Sequence, residues 1–342
     1  MQPTIKRIRS ASARIGMELA NDVFSPTGSV IANKGERLNV RLLHMIRMHN
    51  IEYLYIIVGE KINPEEYLNI ERQSMIQFSE AYKATESEVK KSMQGICQGE
   101  KVEAHCFFEI TDKVMHSLEK PEEILKYLYA LRADRSTTFT HSLNVSIVSN
   151  LIGTWLHYGP AQIKELTIAA LLHDIGKTIR SYHPEQDYHF HPLIGHDLLQ
   201  KHNYPASIAN AVLFHHETLD GTGFPMKIKW GEIPEYARII AIANFYDNQT
   251  TGGKTYQERP HPYKVLQLLE RDGFTRFDST YMNTFMKRIA HYYQNAWVRL
   301  SDGRKGKIVF INEYALSSPI VDIAGELVNL YSRKDITIDR IL

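Results

Sequence analysis

Between Ser136 and about Trp297 the apolar residues return at helical spacing in one segment after another, and strand signals are nearly absent. The segments are Leu143 to Leu156, Ile163 to Leu172, Ile208 to Phe214, Ala237 to Tyr246, Tyr263 to Leu269 and Tyr281 to Tyr293. Amphipathic helices in such a run must bury their apolar stripes against one another, so an all-helical domain is expected over 136–297. The flanks read differently. In residues 1–60 the pattern is α+β: a hairpin turn at Ser25-Pro26-Thr27-Gly28 leading into Ser29 to Ala32, a turn at Gly35, a helix over Val40 to Met48 and a strand over Tyr53 to Val58. Residues 61–135 read as a helical connector, with no Pro between Pro64 and Pro121 and only Gly95 and Gly99 as interruptions. Residues 298–342 read as a β appendage, with a hairpin turn at Asp302-Gly303 and strands over Lys307 to Ile311, Ile320 to Ile323 and Leu327 to Leu330. The expected class is mainly α, with a small N-terminal α+β module and a short C-terminal β appendage.

Composition narrows the function. In 342 residues, 40 Lys+Arg face 39 Asp+Glu, a formal charge of +1. No global field draws such a chain to DNA or to an anionic membrane, so neither is expected as a partner, and a phosphate-bearing ligand has to be held locally. An apolar share of 43% with 23% charged residues is that of an ordinary soluble protein. The basic start MQPTIKRIRSASARIG lacks the apolar stretch of a signal peptide, and no run approaches the ~20 apolar residues of a membrane span, so a cytoplasmic protein is expected. The two cysteines, Cys97 and Cys106, form no CxxC pair. Sixteen histidines are unusual, and many fall between His141 and His216.

Two histidine-bearing motifs end apolar helical stretches. In Leu171-Leu172-His173-Asp174-Ile175-Gly176-Lys177, the His-Asp pair offers an imidazole nitrogen beside a carboxylate able to bridge two cations about 3.5–4 Å apart. Gly176 fits a helix C-terminus, and Lys177 is placed to meet an anionic oxygen. Taken alone, the pair reads more readily as a capping His with a solvated Asp. In His215-His216-Glu217, neighbouring helical side chains diverge by about 100°, so each His is expected to face a different metal, or one of them the substrate. The Asp220-Gly221-Thr222-Gly223-Phe224-Pro225 loop that follows is free to bring amides to phosphate, with Phe224 to stack on a base, or is simply a turn. His141 and His191 complete a set distributed over several helices, the usual way a helical domain assembles a dinuclear site. His183, His189, His196, His202, His261 and His291 lack such company and are read as incidental.

The order THSxxV, LLHDIGK, HPxxG, HHExxDGxGFP and IPxxARIxAIA followed by FYD resembles the HD-GYP family of the HD phosphohydrolase superfamily, over about His141 to Phe277 and with Phe224 where the signature usually has Tyr. RIGMELANDVF, IANKGERL and IEYLYI also resemble the small domain found ahead of some HD-GYP domains. The resemblance implies a helical HD-type domain that hydrolyses cyclic di-GMP, through the linear dinucleotide and sometimes to GMP, with iron or manganese ions. It places metal ligands at His141, His173, Asp174, His191, His215 and His216. It places Lys177 at the phosphate, Gly221, Gly223, Phe224 and Pro225 on the signature loop, and Arg238 on its downstream arginine. Asn244 stands at a family metal-ligand Asp, with a second family Asp at Asp247, three residues on, which like Arg238 is expected at the substrate.

The chain departs from the family at three further places. Asn244 offers a carbonyl oxygen but no charge to offset a metal, and Asp247 shares its helix face. Thr137 stands where trinuclear members have Glu, so two divalent ions are expected and a third is not. The segment between Lys177 and His191 is shorter than usual, which opens the substrate cleft. The expected chemistry is in-line attack on phosphorus by a hydroxide shared between two ions bridged by Asp174, with Lys177 stabilising the equatorial oxygens and Asp174 and Lys177 as the catalytic pair. Cyclic di-GMP is the expected substrate, with 3′,3′-cyclic GMP-AMP as the second. The competing reading is a domain weakened by Asn244 that acts as a nucleotide-responsive binding or scaffolding module; a third is an HD hydrolase of another phosphorylated nucleotide. The N-terminal module is read as a regulatory piece open to a protein partner or a homodimer.

Overall fold

The computed structural model describes residues 4–10, 13–14, 16–25, 30–49, 51–58, 64–117, 124–131, 137–179, 183, 188–251 and 260–342. The chain divides into two units, Met1–Gln73 and Ser74–Leu342.

In the first unit, β1 (Thr4–Arg9), β5 (Tyr53–Val58) and β2 (Glu18–Leu19) form an antiparallel sheet with β5 in the middle. β3 (Val23–Phe24) and β4 (Val30–Ala32) pair as the expected hairpin, whose tip at 26–29 lies outside the described residues. Helix α1 (Val40–Met48) follows, with Leu42, Leu43 and Ile46 packed on Leu19, Leu38 and Leu54. Gly35 adopts φ +82° between β4 and α1, where its amide donates to the Leu19 carbonyl at 2.8 Å.

Helix α2 (Pro64–Cys97) is unbroken, so Gly95 does not interrupt it as the sequence suggests; the turn comes at Gly99, at φ +89°. Helices α3 (Ala104–Met115) and α4 (Ile124–Leu131) follow, and the expected connector boundary at 135/136 lies outside the described residues. Then come α5 (Thr138–Trp155), α6 (Pro160–Leu172), a 3₁₀ turn (Ile175–Thr178), α7 (His191–Lys201), α8 (Ala206–Phe214), α9 (Glu235–Thr251), α10 (Pro262–Leu268), a π turn (Leu269–Gly273) and α11 (Ser279–Tyr292). α5 is buried on every side from His141 to Gly153, between α6 and α9, as a central helix must be. Its buried amides are partnered: Asn144 accepts from the Tyr82 hydroxyl of α2 at 2.7 Å, and Asn150 donates to Thr167 of α6 at 2.9 Å.

The chain closes in an antiparallel sheet of order β10-β6-β7-β8-β9, from β6 (Trp297–Leu300), β7 (Lys305–Phe310), β8 (Ile320–Ile323), β9 (Glu326–Asn329) and β10 (Ile338–Ile341). The sequence reading names β7, β8 and β9 but neither β10 nor β6 as a strand. β10 is four residues long with two charged ones, and pairing with β6 rather than an apolar alternation makes it a strand. Val298, Leu300, Ile308, Val321 and Ile338 join the same apolar core as the helices. His261, buried, donates from Nε2 to the Ile338 carbonyl at 2.9 Å and ties α10 to the sheet. Among the described residues no helix is long and apolar enough to cross a membrane.

Candidate metal centre

Each histidine of the set reaches the site through a local backbone device. Thr137 caps α5, accepting from the Thr140 amide at 3.1 Å while the Thr140 hydroxyl accepts from the Thr137 amide at 2.7 Å; this reciprocal cap starts the helix and puts His141 in its first turn. α6 ends at Leu172, with His173 as its C-cap and Asp174 opening the 3₁₀ turn. Pro192 in the first turn of α7 fixes the start of the helix that His191 opens.

Gly176 is not the C-cap that the sequence suggests. A Cβ there would lie 2.1 Å from the His191 carbonyl oxygen and 2.9 Å from the Gly195 amide, so the glycine lets the Asp174 turn lie directly on α7. Gly176→Ala is expected to cost about 1–3 kcal/mol of stability and to lower metal content, because backbone on both sides has to move. A denaturant midpoint equal to wild type would contradict this close packing.

The four imidazoles are oriented alike. His173 donates from Nδ1 to the Ala170 carbonyl at 2.7 Å, His215 to the Val212 carbonyl at 2.7 Å, and His191 to the Tyr188 carbonyl. His141 donates from Nδ1 to the Asp247 carboxylate at 2.7 Å. A carbonyl or carboxylate can only accept, so these partners assign Nδ1–H tautomers and leave all four Nε2 lone pairs free. The lone pairs converge on Asp174. Its Oδ1 lies 3.1 Å from His191 Nε2 and 3.7 Å from His215 Nε2, whereas its Oδ2 lies 3.7 Å from His141 Nε2, 3.5 Å from His173 Nε2 and 2.7 Å from Lys177 Nζ.

The residues fit two divalent cations. Their possible ligand atoms fall into two groups, Asp174 with His191, His215 and His216, and Asp174 with His141 and His173, each within 4.8 Å. Asp174 Oδ1 and His216 Nε2 are buried without a hydrogen-bond partner. Free lone pairs turned toward a buried carboxylate are a repulsive arrangement that cations relieve.

Burial pushes His173 down to about 4, and burial with the neighbouring imidazoles holds His215 well below the usual range. Burial likewise holds His216 well below it. For Asp174, burial favours the neutral acid, but His173 and Lys177 outweigh it and keep the carboxyl well below its ordinary value. At His141 burial works against the charge, yet the hydrogen bond and charge of Asp247, with Asp174, carry its pKa upward. Neutral His173, His215 and His216 beside an ionised Asp174 are protonation states that metal binding requires.

His215 and His216 depart from the expected divergence. α8 stops at Phe214, so the two residues lie in a turn, their ring centroids 4.1 Å apart, and both join one ligand group. Phe224 stacks on His216 at 4.4 Å and 26°, and Gly223 makes this possible: a Cβ there would lie 2.5 Å from the His216 carbonyl oxygen. Gly221, at φ +77°, and Pro225, after a cis peptide bond, shape the same loop. Glu217, which the sequence reading passes over, holds the loop's far side: it is buried and accepts from the Met226 and Lys227 amides at 2.6 and 2.9 Å.

Three expected residues are placed differently. Asp247, expected at the substrate, is fully buried on His141, because α9 turns that face toward α5. Arg238 is paired with Asp278 at 2.8 Å and lies over Trp230 and Tyr281, so its charge is spent on joining α9 to α11. Asn244 does line the cavity beside His215 and His216, but its Oδ1 accepts from Asn248 Nδ2 at 2.7 Å. That cavity also takes in Tyr188, Phe245, Asn248, Gln249, Arg276 and Phe277. His189, read as incidental, packs its ring 4.6 Å from Phe224. Part of the shortened segment, 180–182 and 184–187, lies outside the described residues.

Residues 123–281 match the HD domain family. The chain is 27% identical over 228 residues to the cyclic di-GMP phosphodiesterase PA4108 of Pseudomonas aeruginosa, covering 63% of this chain and 54% of that protein. It is 31% identical over 171 residues to a cyclic di-GMP phosphodiesterase of Thermotoga maritima, covering 46% and 44%. It is 26% identical over 172 residues to the 3′3′-cGAMP-specific phosphodiesterase 1 of Vibrio cholerae, covering 46% and 39%. The chain thus spans about half the length, or less, of these relatives. The match to the HD domain family is confined to residues 123–281.

Proposed function

We propose that this chain is a metal-dependent phosphodiesterase that opens a cyclic dinucleotide, cyclic di-GMP first and 3′,3′-cyclic GMP-AMP second, to the linear dinucleotide. The observation that carries the reading is Asp174, which turns each carboxylate oxygen toward a different set of histidine Nε2 atoms. The names of the relatives supply the substrate class. His141, His173 and Asp174 would hold one cation, and Asp174, His191, His215 and His216 the other. Divalent iron or manganese bound there supplies a Lewis acid that activates water at neutral pH and offsets phosphate charge.

The chain's own groups do the rest. Lys177 sets its Nζ 2.7 Å from Asp174 at the edge of the cluster, where an equatorial phosphate oxygen would meet it as charge builds. Glu217 and Gly223 fix the loop so that Phe224 stacks on His216. The described residues of the first unit contribute none of the ligand groups, which assigns it, in this reading, to regulation through a partner or a second copy in the cytoplasm.

The hydrogen bond from Asn248 to Asn244 favours a second reading, in which the site binds nucleotide with weakened metal affinity and no turnover. One experiment separates the two: metal content of protein purified without oxygen, and product from cyclic di-GMP and cyclic GMP-AMP with Mn²⁺ or Fe²⁺ supplied. Two metals per chain with a linear product are expected. Saturable binding without product, together with turnover gained in Asn244→Asp, would establish the weakened module instead.

A further inference from the structure

The cavity at the cluster, about 240 Å³, does not end there. It shares Phe245, Gln249, Arg276 and Phe277 with a second cavity of about 210 Å³ that runs back to Leu268, Leu269 and Asp272. The walls of this second cavity are largely apolar, with Phe245 and Phe277 packed on each other at 5.3 Å and 57°, so that it offers aromatic surface to an apolar ring more than partners to a phosphate. Two of its lining groups carry charge. Asp272 is taken by Arg271, whose Nε donates to both carboxylate oxygens. Arg276 makes no side-chain hydrogen bond to the described residues: its guanidinium lies 5.4 Å from the Phe277 ring and within electrostatic reach of the Asp220 and Asp272 carboxylates. Its backbone is fixed, because the Arg276 carbonyl accepts from Leu219 at 3.0 Å and its amide donates to Gly273 at 3.0 Å. The first of these bonds ties Arg276 to the loop that follows His215 and His216.

Resting on the phosphodiesterase reading, we propose that the second cavity seats one base of the cyclic dinucleotide and that Arg276 selects guanine there. A guanidinium presents parallel N–H donors, and guanine offers two adjacent acceptors, O6 and N7, on one edge. Adenine offers N7 beside an amino donor, which leaves one guanidinium donor facing a hydrogen. With the phosphates at the histidine cluster, beside Lys177, Arg276 stands where the two cavities meet and can turn its guanidinium to a base seated in the second.

The test compares wild type, Arg276→Met and Arg276→Lys on cyclic di-GMP and cyclic di-AMP, by Mn²⁺-supported turnover and by equilibrium binding of each dinucleotide. The side chain is exposed and makes no contact that folding needs, so both variants should melt as wild type does. For cyclic di-GMP, Arg276→Met should raise KM and Kd about 10-fold to 100-fold with kcat little changed, and should leave cyclic di-AMP nearly unaffected. Arg276→Lys, which keeps the charge but not the paired donors, should recover only part of the loss. Equal losses on both dinucleotides would show phosphate contact and overturn the guanine seat alone, as would no loss on either. A wild type that neither binds nor cleaves a cyclic dinucleotide would overturn the phosphodiesterase reading, and the guanine seat with it.

Discussion

Asp174→Asn is expected to lose both cations and turnover together, by ~10³-fold or more in kcat/KM, equivalent to ~4 kcal/mol of transition-state stabilisation. The size follows from the shared position of Asp174. It is the one residue in both ligand groups, with Oδ1 facing His191 and His215 and Oδ2 facing His141 and His173. An amide keeps the shape but supplies a single acceptor oxygen and no charge, so one ligand group would lose its carboxylate oxygen and neither cation's charge would be offset. The fold should tolerate the change. Without metal, the carboxylate sits among Nε2 lone pairs, and Lys177, on the edge of the cluster, can turn to water. Metal content by elemental analysis should fall below one ion per chain, while melting in EDTA stays within a few degrees of wild type. Added Mn²⁺ should raise the melting temperature of wild type and leave that of the variant unmoved, since only a bound ligand stabilises. Full metal content with lost turnover would place Asp174 outside the metal site.

Asp247→Asn should lower metal affinity about 10-fold to 100-fold, the usual cost of removing a carboxylate behind a ligating imidazole. Asp247 is a positioning residue: buried, 2.7 Å from His141 Nδ1, it fixes the tautomer and makes Nε2 a better donor to a cation. The loss should therefore appear as a higher Mn²⁺ concentration for half-maximal activity. At saturating metal, KM for cyclic di-GMP should match wild type. Metal affinity unchanged with a raised KM would return Asp247 to the substrate, as the family motif implies.

The helices were legible because burial imposes a period. α5, α6, α8 and α11 lie within a few residues of the segments read from apolar spacing, and Thr137, Pro160 and Pro192 mark starts that local chemistry enforces. The metal-ligating types were legible too, as few residues other than His and Asp supply neutral nitrogen and anionic oxygen at pH 7. Gly176 was misread for a physical reason: a helix C-cap and a close backbone crossing both call for glycine, and the sequence does not distinguish them. β10 was missed because its partner, β6, lies some forty residues earlier and supplies the ladder that its own composition does not.

The sequence by itself determined which segments are helical and which residues could hold metal, since both depend on near neighbours: periodicity, caps and side-chain chemistry. Only the tertiary structure decided how those residues are shared out. That His141 and His173 face one oxygen of Asp174 and His191 and His215 the other depends on how α5, α6, α7 and α8 cross. The same packing brings Asp247 onto His141 from 106 residues away, commits Arg238 to Asp278, and sets Arg276 where the two cavities meet. Directional contacts between residues distant in sequence are set when the apolar faces dock, and no local pattern encodes the angle at which they do so.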